Sequence, residues 1–203
     1  TLTVNTDGSW SFDLKDQLDH VDDNMNDENW ALQGSTATDG GIDLSKVLTA
    51  TDFDGDTVTG AATGSFVINV QDDIPVAAVN PEGISASVLE DGMSLGTGDG
   101  SEGNKEAGET NAADEASGPA GSIASLFAIG ADEDDLNTTP PEVSYGITTD
   151  ADALNALDPL SSRGETITYS STGSVLTATA GGREVFTLTV NTDGSWSFDL
   201  KDQ

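Results

Sequence analysis

Asp52, Asp54 and Asp56 alternate with Phe53 and Gly55 in the run DFDGD, and this spacing is the strongest chemical signal in the chain. Calcium takes about six to eight hard oxygen ligands, and carboxylates at alternate positions of a tight turn can converge on one such ion. The run is not an EF-hand loop. Its sixth and twelfth positions, counted from Asp52, are Thr57 and Thr63, where that loop needs Gly and Glu. The same residues also suit a hairpin tip with no ion, since Asp and Gly favour turns for backbone reasons alone. The neighbours weigh towards an ion. Asp72-Asp73 stand at an apparent module boundary and Glu90-Asp91 follow the first strand-like run beyond it. Where β-modules are joined end to end, an end loop, the outgoing linker and the next module's first loop can meet, and an ion there would lock two modules. A flexible, solvated linker is the competing reading. The acidic run 131–135 can be read as a ligand loop or as an exposed turn.

Other chemistries are poorly supplied. His20 is the one histidine, it lies in an acidic loop, and there is no cysteine, so nucleophile triads and zinc clusters lack their parts. Gly98, Gly100 and Gly103 match the dinucleotide pattern G-x-G-x-x-G. No helix follows them to present amides to a pyrophosphate, and the flanking carboxylates repel phosphate. Glycoside hydrolysis needs paired carboxylates, and 37 acids offer so many pairs that no single one carries weight. Trp10, Trp30 and Trp196 could stack on sugars, but Trp10 and Trp196 share phase with Phe12 and Phe198, which favours packing.

The charge balance narrows the partners. Against 37 Asp and Glu there are 6 Lys and Arg, giving a net charge of −31, so nucleic acid and anionic membranes are repelled and cations attracted. No apolar run reaches the roughly eighteen residues of a spanning helix, so membrane insertion is not expected. The absence of cysteine leaves packing and metal to supply stability. Hydrophobic content of 35% is lean but above that of a wholly disordered acidic chain.

The elements that must position these residues read as strands. Thr1–Gln17, TLTVNTDGSWSFDLKDQ, recurs unchanged as Thr187–Gln203, a tandem period of 186. Within it Leu2 and Val4, then Trp10, Phe12 and Leu14, alternate about the turn Asn5–Gly8, the pattern of a β-hairpin. Residues 15–29 read as a solvated acidic loop, with a short strand at 30–32 after it. Runs at 47–51 and 64–71 flank DFDGD, and Phe66, Ile68 and Val70 share one face. Asp72-Asp73-Ile74-Pro75 breaks the second run, because proline lacks an amide donor and restricts the residue before it. Residues 84–89 read as a strand, 96–118 as a glycine-rich, acidic exposed or disordered loop, and 122–129 as a helical turn leading into a strand. The proline-bearing stretch 136–142 is a loop, and 152–157 a short helix. Strands are expected at 143–147, 166–169, 175–179 and 185–190. The expected class is all-β, with a sandwich as its form. Residues 1–73 would be the C-terminal part of one repeat, 74–77 a linker, and 78–203 the N-terminal part of the next. The opening residues read as mid-strand, so the chain reads as cut from a longer one.

In order, the hairpin with its DQLDH continuation, VLTATDFDGDTVTGAATGSFVINVQDDIPVA, SVLEDG and GSIASLFAIGAD resemble the extender repeat of RTX adhesins, giant bacterial proteins exported by type I secretion. The resemblance implies tandem immunoglobulin-like β-sandwiches bound to calcium. Asp52, Asp54, Asp56, Asp72, Asp73, Glu90 and Asp91 would be the ligands, and neighbouring copies of the repeat the partners. It implies a non-enzymatic spacer at the extracellular surface of a Gram-negative cell, holding a distal adhesive domain outward. A glycan- or protein-binding adhesion module is the alternative. The period is longer than an ordinary immunoglobulin-like module, and the G-G-x-G-x-D nonapeptides of the export end are absent, as suits an extender segment.

Overall fold

The computed structural model describes residues 1–21, 29–37, 40–131 and 143–203. Most of the 131–135 run, the loop at 136–142 and the middle of the acidic stretch 15–29 lie outside them. The chain divides into two compact units, Thr1–Val76 with Ile129–Glu133, and Ala77–Ala128 with Asp134–Gln203. The first division falls within the segment 74–77. The fold is all-β with 8% helix, and no helix among the described residues is long and apolar enough to cross a membrane.

In the first unit, β1 (Leu2–Val4) pairs antiparallel with β2 (Trp10–Phe12). β3 (Ile42–Asp43) pairs with β6 (Val67–Ile68), and β4 (Thr49–Thr51) with β5 (Thr57–Thr59). A 3-10 turn, Ser45–Val47, leads into β4. The expected strand at 30–32 is reduced to one bridge, His20 to Leu32, and the run 64–71 to the two residues of β6. These ladders are short because few side chains lie between them. Among the described residues of this unit Leu32 is the one buried hydrophobe, and the buried Asn29 and Ser45 hold the chain by hydrogen bonds instead.

β7 (Val76–Ala77) spans the division. The second unit then carries β8 (Glu115–Gly118), β9 (Phe127–Ala128) after the 3-10 turn Ala124–Leu126, and the helix α1 (Ala151–Asn155). Asp150 caps α1 by accepting the Ala153 amide, the usual role of Asp at that position. β10 (Ser161–Ser162) pairs with β11 (Glu165–Thr166). A meander of β12 (Thr168–Ser171), β13 (Val175–Ala180), β14 (Arg183–Val190) and β15 (Trp196–Leu200) completes the chain. The sheet order is β12-β13-β14-β15-β8, all antiparallel, and it is the one sheet of more than two strands among the described residues.

Alternation explains the core. Along β13, Leu176, Ala178 and Ala180 are buried in turn, as a pleated strand with one packed face requires. Ile167, Ala178, Ala180 and Val185 form one buried cluster, with Tyr169 and Phe186 packed on it. The region 84–89 forms no ladder. Ile84, Ala86 and Val88, two residues apart, nevertheless line one apolar cavity of about 380 Å³ with Leu188, Trp196 and Phe198 of the sheet.

The region 96–118, expected to be exposed or disordered, departs most from the sequence reading. Its end is β8, which forms the sheet edge beside β15, and Asp99 and Asp114 within it are buried. Hydrogen bonds, not apolar burial, order it: Gly100 N–H donates to Lys201 O at 2.6 Å, and Gly103 N–H to Met93 O at 2.8 Å.

Candidate metal centres

The β4–β5 hairpin presents Asp52, Asp54 and Asp56 at its tip. The register Thr51 to Thr57 leaves five residues to turn the chain, and Gly55 turns it with φ at 99°, where L side chains are strained. Asp52 Oδ1 accepts the amides of Asp56 at 2.8 Å and Gly55 at 3.1 Å. Hydrogen bonding shared with the Asp54 side chain, then donated by the Asp56 amide, holds the Asp52 carboxyl below its ordinary range. The three carboxylates approach within 4.8 Å of one another and all are exposed. Such a set can share a hard cation that keeps part of its water.

The other residues read as ligands from the sequence lie elsewhere. Asp72 faces His20, Oδ1 to Nδ1 at 3.3 Å, while His20 Nε2 lies 2.9 Å from Val70 O. Asp73 Oδ2 accepts the Ala131 amide at 2.8 Å. Glu90 and Asp91 lie in the 3-10 turn Glu90–Gly92. Among the described residues, two groups of three acids have ligand atoms within reach of one another, and neither group includes Asp72, Asp73, Glu90 or Asp91.

The second group, Asp99, Asp114 and Asp199, belongs to the second unit and differs in kind. Asp99 is 7% exposed and Asp114 2%, and Asp199 is half-buried. Strand pairing assembles them. Asp199 on β15 sits opposite Glu115 on β8, and Leu200 N–H donates to Asp114 O at 3.0 Å, so Asp114 enters beside Asp199. Asp99 is held by its Oδ2, which accepts Ser94 N–H at 2.7 Å and Thr97 Oγ1–H at 2.8 Å. Asp114 Oδ1 is buried without a hydrogen-bond partner. Burial, and then the negative charge of Asp99, pushes the Asp114 carboxyl above its ordinary range. Lys201 Nζ pairs with Asp199 Oδ2 at 2.5 Å. Sequence spacing gave no hint of this group, because its members are far apart in the chain and meet only through the β8–β15 pairing.

The same unit buries a fourth acid in the opposite electrostatic setting. Asp202, 1% exposed, receives Ser101 Oγ and Arg163 Nη2 on Oδ1, both at 2.6 Å, and pairs with Arg183 through Oδ2. Burial alone would raise its pKa. The hydrogen bonds from Ser101, the Gln203 amide and Arg183, with the Arg163 charge, outweigh burial and hold it below the ordinary value.

Asp199 and Asp202 belong to the repeated seventeen residues, where their counterparts are Asp13 and Asp16. The two copies fold alike. Leu2 to Phe12 and Val4 to Trp10 match Leu188 to Phe198 and Val190 to Trp196. Asp7 and Asp193 each accept their Ser9 or Ser195 amide at 2.9 Å. Their surroundings differ: Asp13 and Asp16 are exposed, whereas Asp202 is buried. Comparison of the chain with models of known protein families, with curated proteins and with solved structures finds no match.

Proposed function

We propose that the chain is a segment of a calcium-rigidified extender array in a large secreted bacterial adhesin, a non-enzymatic spacer built from immunoglobulin-like sandwiches. The observation that carries the repeat reading is the duplicated hairpin, which adopts one register in both units. Two further features support it. The open acidic tip at Asp52, Asp54 and Asp56 offers hard oxygen ligands, and Ile84, Ala86 and Val88 line one apolar cavity with a face of the five-stranded sheet, where the second layer of a sandwich would sit.

The function is mechanical. Extracellular calcium modules bind with Kd on the order of 0.1 to 1 mM. Their sites stand empty in the calcium-poor cytoplasm, so a chain charged to −31 stays loose for export and stiffens outside. At calcium ten times Kd each site adds about 1.4 kcal/mol, which for a chain of this length is about 3 to 6 °C in Tm. Calorimetry and small-angle scattering in 5 mM calcium and in chelator test this reading. The expected result is a higher Tm and a longer, less variable particle with calcium; identical melts and scattering would rule it out.

A further inference from the structure

We propose that Asp99, Asp114 and Asp199 form a buried calcium site that clasps the repeated hairpin to the edge strand β8 and the loop around Asp99. For the identity of the ion the proposal rests on the calcium reading above; its placement rests on the second unit alone.

Three observations converge on this site. Three carboxylates place oxygen atoms within 4.8 Å of one another, two of them nearly sealed from water. Like charges so close and so dry cannot all stand ionised without compensation. Asp114 Oδ1 is left without a partner, although more than nine in ten buried polar groups find one. The protein cation at hand is Lys201, paired with Asp199 Oδ2. Asp202, in the same unit, marks the contrast, for there two arginines meet a buried carboxylate.

The donor set selects the ion class. Carboxylate oxygens without histidine or cysteine suit calcium or magnesium over zinc or copper. A site gathered from a loop, a strand start and a strand has the irregular geometry that calcium tolerates and magnesium resists. The site also has a mechanical sense. Asp199 comes from the hairpin, Asp114 from the residue before β8 and Asp99 from the loop, so one ion ties three separate segments. The first copy's Asp13 pairs with Lys15 in the open, so the hairpin alone makes no such site.

The competing compensation is a proton shared within the group, and the full chain in metal-free buffer distinguishes the two. Calcium chloride is titrated into wild type, Asp114→Asn, Asp99→Asn and the triple variant Asp52→Asn, Asp54→Asn, Asp56→Asn. Tm is followed, and NMR amide exchange is read at Asp199, Leu200 and Gly100. In wild type, millimolar calcium is expected to slow exchange at these amides at least tenfold. Asp114→Asn and Asp99→Asn lose that slowing, the triple variant keeps it, and Asp114→Asn melts above wild type in chelator because a buried charge is gone. Slowing that survives in Asp114→Asn and Asp99→Asn overturns the clasp and leaves the extender reading standing. A wild type indifferent to calcium whose Tm climbs as pH falls from 7 to 5 also overturns it, in favour of the proton. Slowing lost in both variants while scattering is unmoved by calcium supports the clasp and sinks the extender reading. If Asp114→Asn does not fold, Asp99→Asn carries the comparison.

Discussion

Two buried aspartates in one unit show how a side chain's neighbours set the sign of its contribution. Asp202 is held below the ordinary carboxylate range by Ser101, Gln203, Arg183 and Arg163 against the pull of burial. A depressed folded pKa means stability that is present above the unfolded value and lost as pH falls through the folded one. Asp114 is raised by burial and by Asp99, so without an ion it costs stability as pH rises through its folded value. The arginines are testable separately from the metal. Removing one partner of a buried pair costs about 3 to 5 kcal/mol. Arg183 is 31% exposed and Arg163 remains to share the load, so Arg183→Met should cost about 2 kcal/mol at pH 7. Protonating Asp202 removes what Arg183 compensates, so the deficit should shrink as the solution is taken to pH 3. Urea unfolding at the two pH values checks both halves, and a variant as stable as wild type at pH 7 would show the pair to be inert.

The duplicated hairpin separates what a sequence encodes locally from what its surroundings add. Seventeen identical residues give one turn and one register twice, yet Val4 is 51% exposed where Val190 is 7%, and Trp10 is 52% exposed where Trp196 lines the sheet cavity. Trp10 rests edge-on against Phe66, ring centres 5.0 Å apart. Trp196 packs so closely on Gly118 that a Cβ there would fall 2.2 Å from its indole nitrogen. Truncating a buried aromatic costs about 3 to 5 kcal/mol. Trp196→Ala should therefore cost about 3 kcal/mol and Trp10→Ala about 1, measured by urea unfolding of each unit's transition. Equal losses would mean that burial does not distinguish the copies. The same division explains what could be read in advance. The hairpin, the DFDGD tip, the short helix near Asp150 and the 3-10 turn before Phe127 depend on residues a few places apart, and turn and capping chemistry reveals them. The order in 96–118 does not depend on such neighbours. Leu200 bonds to Asp114, Lys201 to Gly100, and Asp202 to Ser101 at a separation of 101 residues. A glycine-rich acidic stretch gives no periodicity from which pairing with a distant strand could be anticipated, and the Asp99–Asp114–Asp199 group was hidden with it.

At the scale of the whole chain, charge opposes the fold and decides which solutes favour it. A net charge of −31 repels itself over distances that salt screens, about 8 Å at physiological ionic strength, so any electrolyte should stabilise to some degree. Screening depends on ionic strength and is blind to ion identity, whereas a carboxylate site counts ligands and discriminates by size. The two mechanisms part at matched ionic strength. Calcium at 5 mM should raise Tm by about 3 °C or more over sodium chloride of equal ionic strength, with magnesium between them, because magnesium gives up its water reluctantly and demands regular octahedral geometry. Above about 0.3 M sodium chloride the screening part saturates as the Debye length falls towards side-chain dimensions. The calcium increment should persist there, since a buried site is poorly reached by mobile ions. If sodium chloride at matched ionic strength reproduces the calcium effect, or 0.3 M salt abolishes it, the acids of this chain act as a diffuse cloud, and neither the open tip nor the buried group holds an ion.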